Sequence, residues 1–166
     1  MKKLDFQPAK STKDFRKNYK LHDMAEAVGK NLLTQWGISH KSFGEDNRYK
    51  KVWEKGEDKP DEILTYKGKS VFLDWKGKHK PLWILNKRAV TAYEKWSEIY
   101  SVPAIIVFFV FDKSEKLTGK KFAFLGKHSY VDSPERQWDK NETVQFVNEL
   151  PDFTKAELIS YLTEDV

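Results

Sequence analysis

Pro60-Asp61-Glu62-Ile63-Leu64-Thr65-Tyr66-Lys67-Gly68-Lys69-Ser70-Val71-Phe72-Leu73-Asp74-Trp75-Lys76 is the stretch that decides the fold. Its two halves, 63–66 and 70–76, are rich in β-branched and aromatic residues. They flank Lys67-Gly68-Lys69, which predicts two strands folded back as a hairpin. Side chains alternate along a strand, so Val71, Leu73 and Trp75 share one face while Phe72, Asp74 and Lys76 share the other. Asp74 and Lys76 are then neighbours, with Cα atoms about 6.6–6.8 Å apart. Asp61 opens the partner strand, where the hairpin register can bring its carboxylate beside Asp74. Two carboxylates at one point repel unless one is protonated or a cation intervenes. An acid inside Val71-Phe72-Leu73-Asp74-Trp75 is also costly to bury without a partner. Carboxylates with waters and substrate phosphate are how Mg²⁺ is usually held. An adjacent ammonium can then orient a water or stabilise charge on the phosphate. The plainer alternative is an Asp74–Lys76 surface pair on an edge strand, worth about 0–1 kcal/mol.

Outward from the hairpin, Asp23 is positioned to cap a helix over 23–36 that ends at Gly37, with Met24, Val28, Leu32 and Trp36 as its buried stripe. Residues 39–46 read as loop, 49–53 as a short strand and 54–59 as a polar loop. After Pro81 and Leu82-Trp83-Ile84, a helix is expected over 86–99. Leu85, Ala89, Tyr93, Trp96 and Tyr100 fall on one arc of it, so Tyr93 and Trp96, like Trp83, read as core. The ten residues 102–111 are continuously apolar and suit a strand buried on both faces. A further strand over 121–125 and a loop over 133–141 follow. Thr154 and Glu157 then form a capping box, with Phe153 stapled to Leu158, at the start of a final helix. The order predicts an α/β fold, a central mixed sheet with helices packed against it. No internal repeat appears.

The chain has 166 residues, 30 Lys plus Arg against 25 Asp plus Glu, and formal charge +5. That length fits one domain over 21–166 preceded by a basic arm, 1–20. The arm holds seven bases against Asp5 and Asp14, which accounts for the whole net charge. With 39% hydrophobic and 14% aromatic residues, a packed core rather than a disordered chain is expected. The absence of cysteine excludes disulfides, thiol nucleophiles, iron–sulfur clusters and cysteine zinc sites. The longest apolar run falls short of the roughly 20 residues of a membrane helix, and Met1 to Phe6 lack the apolar stretch of a secretory signal. A soluble cytoplasmic protein with no membrane partner is therefore expected. The arm, and the cluster Lys67, Lys69, Lys76, Lys78 and Lys80 around Asp74, can neutralise phosphates; the arm reads equally well as a solubilising terminus. No glycine-rich phosphate loop is present. His22, His40, His79 and His128 lack HxxH or HxxxH spacing, so no histidine metal site is expected.

Pro60-Asp61, twelve intervening residues, and Asp74-Trp75-Lys76 together resemble the PD-(D/E)XK nuclease superfamily, over about 23–111 of this chain. The resemblance implies a restriction-endonuclease-like core. It implies that Asp61 and Asp74 hold Mg²⁺, with Mn²⁺ able to substitute, and that Lys76 assists the attacking water. Glu26 would add a metal-binding or orienting carboxylate from the preceding helix; by local pattern it is equally the capping-box partner of Asp23. Short length and the early-helix glutamate look most like small Holliday-junction-resolvase-type or phage and plasmid endonucleases. That implies hydrolysis of DNA, at junctions or flaps, leaving a 5′-phosphate, and a homodimer. Asn86 and Lys87 at the next helix, with Lys67, Lys69, Lys78 and Lys80, are the candidate nucleic-acid contacts. A reading from another class keeps the fold without the chemistry: a nucleic-acid-binding module or assembly subunit.

Overall fold

The computed structural model describes residues 8–43, 59–133 and 142–163, with side chains from residue 20 onward. Its elements are α1 (Pro8–Trp36), β1 (Ser39–Ser42), β2 (Glu62–Tyr66), β3 (Lys69–Lys78), β4 (Ile84–Asn86), α2 (Lys87–Tyr100), β5 (Ala104–Phe111), β6 (Leu117–Phe124), β7 (Tyr130–Asp132), β8 (Thr143–Phe146) and α3 (Lys155–Thr163). The hairpin forms where the alternation places it. β2 and β3 pair antiparallel from Glu62↔Leu73 to Tyr66↔Lys69. Lys67 and Gly68 turn the chain with φ of 50° and 82°, the positive values that a two-residue hairpin turn matching the strand twist requires.

Five strands form the central sheet in the order β1-β2-β3-β5-β6. Only β3 and β5 run parallel, because α2 carries the chain back across the sheet between them. All eight residues of β5 are buried. Val71, Leu73, Trp75, Val107 and Phe109 face α1, α3 and Phe153. Phe72, Ile106 and Phe108 face α2 and the small sheet β4-β8-β7. The result is a mixed sheet with helices on both faces, as expected. Tyr93 and Trp96 are core, and half-buried Trp83 packs against the same cluster, its ring 5.4 Å from that of Phe108. Thr154 caps α3, its Oγ1 accepting the Glu157 N–H at 3.2 Å. Among the described residues no helix is long and apolar enough to cross a membrane.

Several expectations are corrected. α1 begins at Pro8, not Asp23, so Asp23 lies inside the helix and no capping box forms there. Ser39–Ser42 is an edge strand on β2 rather than loop. Residues 84–86, 130–132 and 143–146 build a second sheet with no counterpart in the sequence reading. The strand expected over 49–53 lies outside the described residues, as do the loop over 54–58, most of that over 133–141 and the side chains of the arm before residue 20.

The buried line of α1 is rotated by one residue from the expected stripe. Ala25, Gly29 and Leu33 are buried, whereas Met24, Val28, Leu32 and Trp36 are half-buried. The cause is close packing: a Cβ on Gly29 would lie 2.2 Å from the Trp75 ring, and one on Gly77 would lie 2.4 Å from the Leu21 carbonyl oxygen. Two bare glycines let the helix rest directly on β3. That approach carries His22 and Glu26 to the open end of the hairpin.

Candidate active site

Continuing the β2–β3 register one step beyond Glu62↔Leu73 sets Asp61 opposite Asp74. The Asp61 N–H donates to the Leu73 carbonyl at 2.9 Å, so its backbone follows the strand even at the end of the ladder. Its side chain is fixed from two sides. The Trp75 N–H donates to Asp61 Oδ2 at 2.9 Å, and His22 Nε2 lies 3.3 Å from the same oxygen. Asp74 is only 4% exposed and stands on β3 beside Lys76, whose Nζ is 3.1 Å from Asp74 Oδ2 as an ion pair. That oxygen nonetheless accepts no hydrogen bond of proper geometry. The structure therefore brings Asp61, Asp74 and Lys76 together.

The electrostatics of the pair are unequal. Burial, with the neighbouring Asp61 charge, pushes the Asp74 carboxyl up to about 7 despite the opposing pull of Lys76. Burial also acts to raise Asp61. The hydrogen bonds from His22, the Trp75 N–H and Asp74 outweigh it, and Asp61 ends below the usual carboxylate value. His22 is raised in turn, first by its hydrogen bond to Asp61, against a desolvation cost. At neutral pH Asp61 is thus ionised while Asp74 is close to the midpoint of its titration, so the pair shares a proton only part of the time. This donor set fits a hard divalent cation: two facing carboxylates, mutually repelling when both are charged, and one buried oxygen with no hydrogen bond.

Glu26 sits one turn after His22 on α1. Its Oε2 is 2.9 Å from Lys30 Nζ, so it is a pairing residue rather than a cap. Ligand atoms of His22, Asp23 and Glu26 lie within 4.8 Å of one another. Spacing among the histidines does not reveal the His22–Asp61 contact, because its partner is an acid 39 residues away. The available signal was the i,i+4 spacing of His22 and Glu26 on one helix face.

Glu62 was missed as well. It is wholly buried on the α1 side of β2, where strand parity puts it with Leu64. Its carboxylate receives His40 Nδ1 at 3.2 Å and the Trp75 indole N–H at 3.3 Å, and Lys30 Nζ lies 3.4 Å away. Lys30 therefore bridges Glu62 and Glu26, tying β2, β3 and α1 together behind the acid pair.

The basic cluster is divided by the fold. Lys67 and Lys69 stand at the hairpin tip, and five residues of strand put Lys69 about 16 Å from Asp74. Lys78 lies on the Asp74–Lys76 face, its Nζ donating to the Ile84 carbonyl; burial, with the Lys76 charge, lowers it to about 8. Lys80 is exposed in the turn after β3. Asn86 precedes α2 without a side-chain capping bond, its Oδ1 buried and without a partner. Lys87 points to Asp132 and Glu142 at 3.3 and 3.5 Å, which draws it toward the small sheet.

No family model matches this chain, and no curated protein matches it. Among solved structures, the chain is similar to Archaeoglobus fulgidus Hjc, a Holliday junction resolvase from an archaeal hyperthermophile. Identity is 9% and the TM-score 0.45, over 78% of this chain and 98% of that one.

Proposed function

We propose that this chain is a metal-dependent endonuclease that hydrolyses DNA phosphodiester bonds, with branched DNA, a four-way junction or a flap, as its substrate. The observation that carries the reading is the buried Asp74 carboxylate, set opposite Asp61 and beside Lys76, with one oxygen that no hydrogen bond satisfies. Asp61 and Asp74 would hold Mg²⁺ or Mn²⁺, which when bound supplies charge stabilisation at a phosphate and a water of lowered pKa.

The chain's own groups have separable tasks. Asp61 is kept ionised by the Trp75 N–H and His22, so one ligand charge is always available. Asp74 would release its proton to solvent on taking up a cation. Lys76 Nζ, 3.1 Å from Asp74, stands where it can orient water and offset charge growing on the scissile phosphate. Lys78, partly protonated around pH 8, adds positive charge on the same face. Glu26 lies one helical turn from His22 as a further carboxylate, held by Lys30. A two-fold-symmetric junction calls for two copies of the chain.

The test is cleavage of four-way-junction, flap and linear duplex DNA in Mg²⁺, Mn²⁺ and EDTA by the parent, Asp74→Asn and Lys76→Met. Branched substrates should be cut in the presence of metal by the parent alone. DNA binding without cleavage would sink the enzyme reading and leave a nucleic-acid-binding module; equal cleavage by Asp74→Asn would place the chemistry elsewhere.

A further inference from the structure

At the other end of the central sheet lies a cavity of about 680 Å³, within the size range of small-molecule sites. Three segments meet there: the hairpin tip with Lys69 and Ser70, the α2–β5 junction with Val102, and the end of β6 with Phe124 and Lys127. Tyr161 of α3 closes one side. Lys69 begins β3, five residues and about 16 Å from Asp74, so this space is separate from the acid pair.

The lining has a definite chemistry. Among the described residues, two lysines and two serines contribute to it and no carboxylate does. The Lys127 ammonium stands 5.8 Å from the centre of the Phe124 ring, so its charge is anchored beside the aromatic wall. The Tyr161 ring stacks on Phe124 at 5.5 Å and 25°, and its hydroxyl is fixed by His128 Nε2 at 3.1 Å. Aromatic rings held rigid, apolar Val102 in the same lining, and lysine ammonium groups among them suit a planar ring that carries a negative group.

We propose that this cavity binds an organic anion with a planar aromatic body, the chemistry of a nucleoside monophosphate. The base would lie in the apolar interior and the phosphate near Lys127 and Lys69. That phosphate chemistry is shared by a free nucleotide and by one nucleotide of a DNA strand that runs past the hairpin tip.

The experiment titrates isotope-labelled full-length chain with dAMP and with deoxyadenosine in EDTA, following backbone amide shifts. EDTA removes divalent cations, and the readout is local to this cavity. The result is therefore independent of whether the acid pair cleaves DNA. Shifts should concentrate at 68–70, 101–103 and 124–127, and dAMP should bind about fivefold more tightly than the nucleoside, the effect of one partly exposed charge pair. Lys127→Glu should erase that preference, and Val102→Trp, which fills the cavity, should remove both ligands. Lys127→Glu keeps the test alive if Val102→Trp does not fold. Weaker binding of a single-stranded oligonucleotide by Lys127→Glu assigns the cavity to a DNA strand; unchanged binding assigns it to free nucleotide. Equal affinity for dAMP and deoxyadenosine, shifts elsewhere on the chain, or shifts that survive in folded Val102→Trp would overturn the proposal.

Discussion

Replacing Asp74 with asparagine should stabilise the metal-free protein, and should do so only where the acid would be charged. In the fold Asp74 ionises near 7; in the unfolded chain it ionises near the ordinary value of about 3.9. Between these values the folded protein keeps a proton that the unfolded chain has lost, so stability falls as pH rises from about 4 to about 7. At 1.36 kcal/mol per tenfold difference in proton affinity, the loss by pH 8 is on the order of 4 kcal/mol. Asp74→Asn has the shape of the protonated acid and escapes this loss. For a chain of this size, that corresponds to a gain of roughly 8–16 °C in Tm at pH 8, shrinking towards zero at pH 4. Urea denaturation in EDTA at both pH values measures it. Added Mg²⁺ should close part of the gap, because only the parent keeps both carboxylates; ten times Kd contributes about 1.4 kcal/mol. An asparagine variant that is less stable than the parent at pH 8, or one whose advantage is the same at pH 4, would refute the account of a repelled, buried carboxylate.

Three further outcomes follow from neighbouring contacts. Gly29→Ala should destabilise by about 1–3 kcal/mol, since strain against Trp75 exceeds the helix-propensity gain of about 1 kcal/mol; an unchanged or higher Tm would contradict the close packing. His22→Ala should cost more at pH 6 than at pH 9, because the His22 pKa is raised in the fold and its contribution is lost as pH rises through that value. The site is part-exposed, so the difference should be about 0.5 kcal/mol, and equal losses at the two pH values in urea titrations would argue against the Asp61 pairing. Glu62→Ala should cost about 3–5 kcal/mol by leaving His40, Lys30 and the Trp75 indole without their buried acceptor; Glu62→Gln should cost less, and a neutral Glu62→Ala in the same assay would remove the network from the account.

What could be read from the sequence was what local pattern encodes. The hairpin, α2, the all-apolar β5 and the Thr154 cap each declare themselves within a dozen residues. β1 did not, because Ser39-His40-Lys41-Ser42 carries no apolar alternation and becomes a strand only by pairing with β2. β4, β7 and β8 are three or four residues long, too short for a period to show, and their partners are remote in the chain. The early start of α1 was hidden because lysine-rich turns before Asp23 present no hydrophobic stripe. At the site, strand parity revealed the side-by-side placement of Asp74 and Lys76. Parity applied to β2 would also have flagged Glu62, an acid in phase with Leu64. The pairing of His22 with Asp61 was less accessible, since it depends on how closely Gly29 and Gly77 let α1 descend.

The β2–β3 ribbon has its facing acids at the open end and its two-residue turn at the other. Residues added at Lys67-Gly68 would lengthen the ribbon outward without shifting the pairing of Asp61 with Asp74. Changes at the tip would therefore act on the cavity that Gly68, Lys69 and Ser70 help to line, and leave the acid pair where it is. One pair of strands thus has two ends that engineering can alter separately.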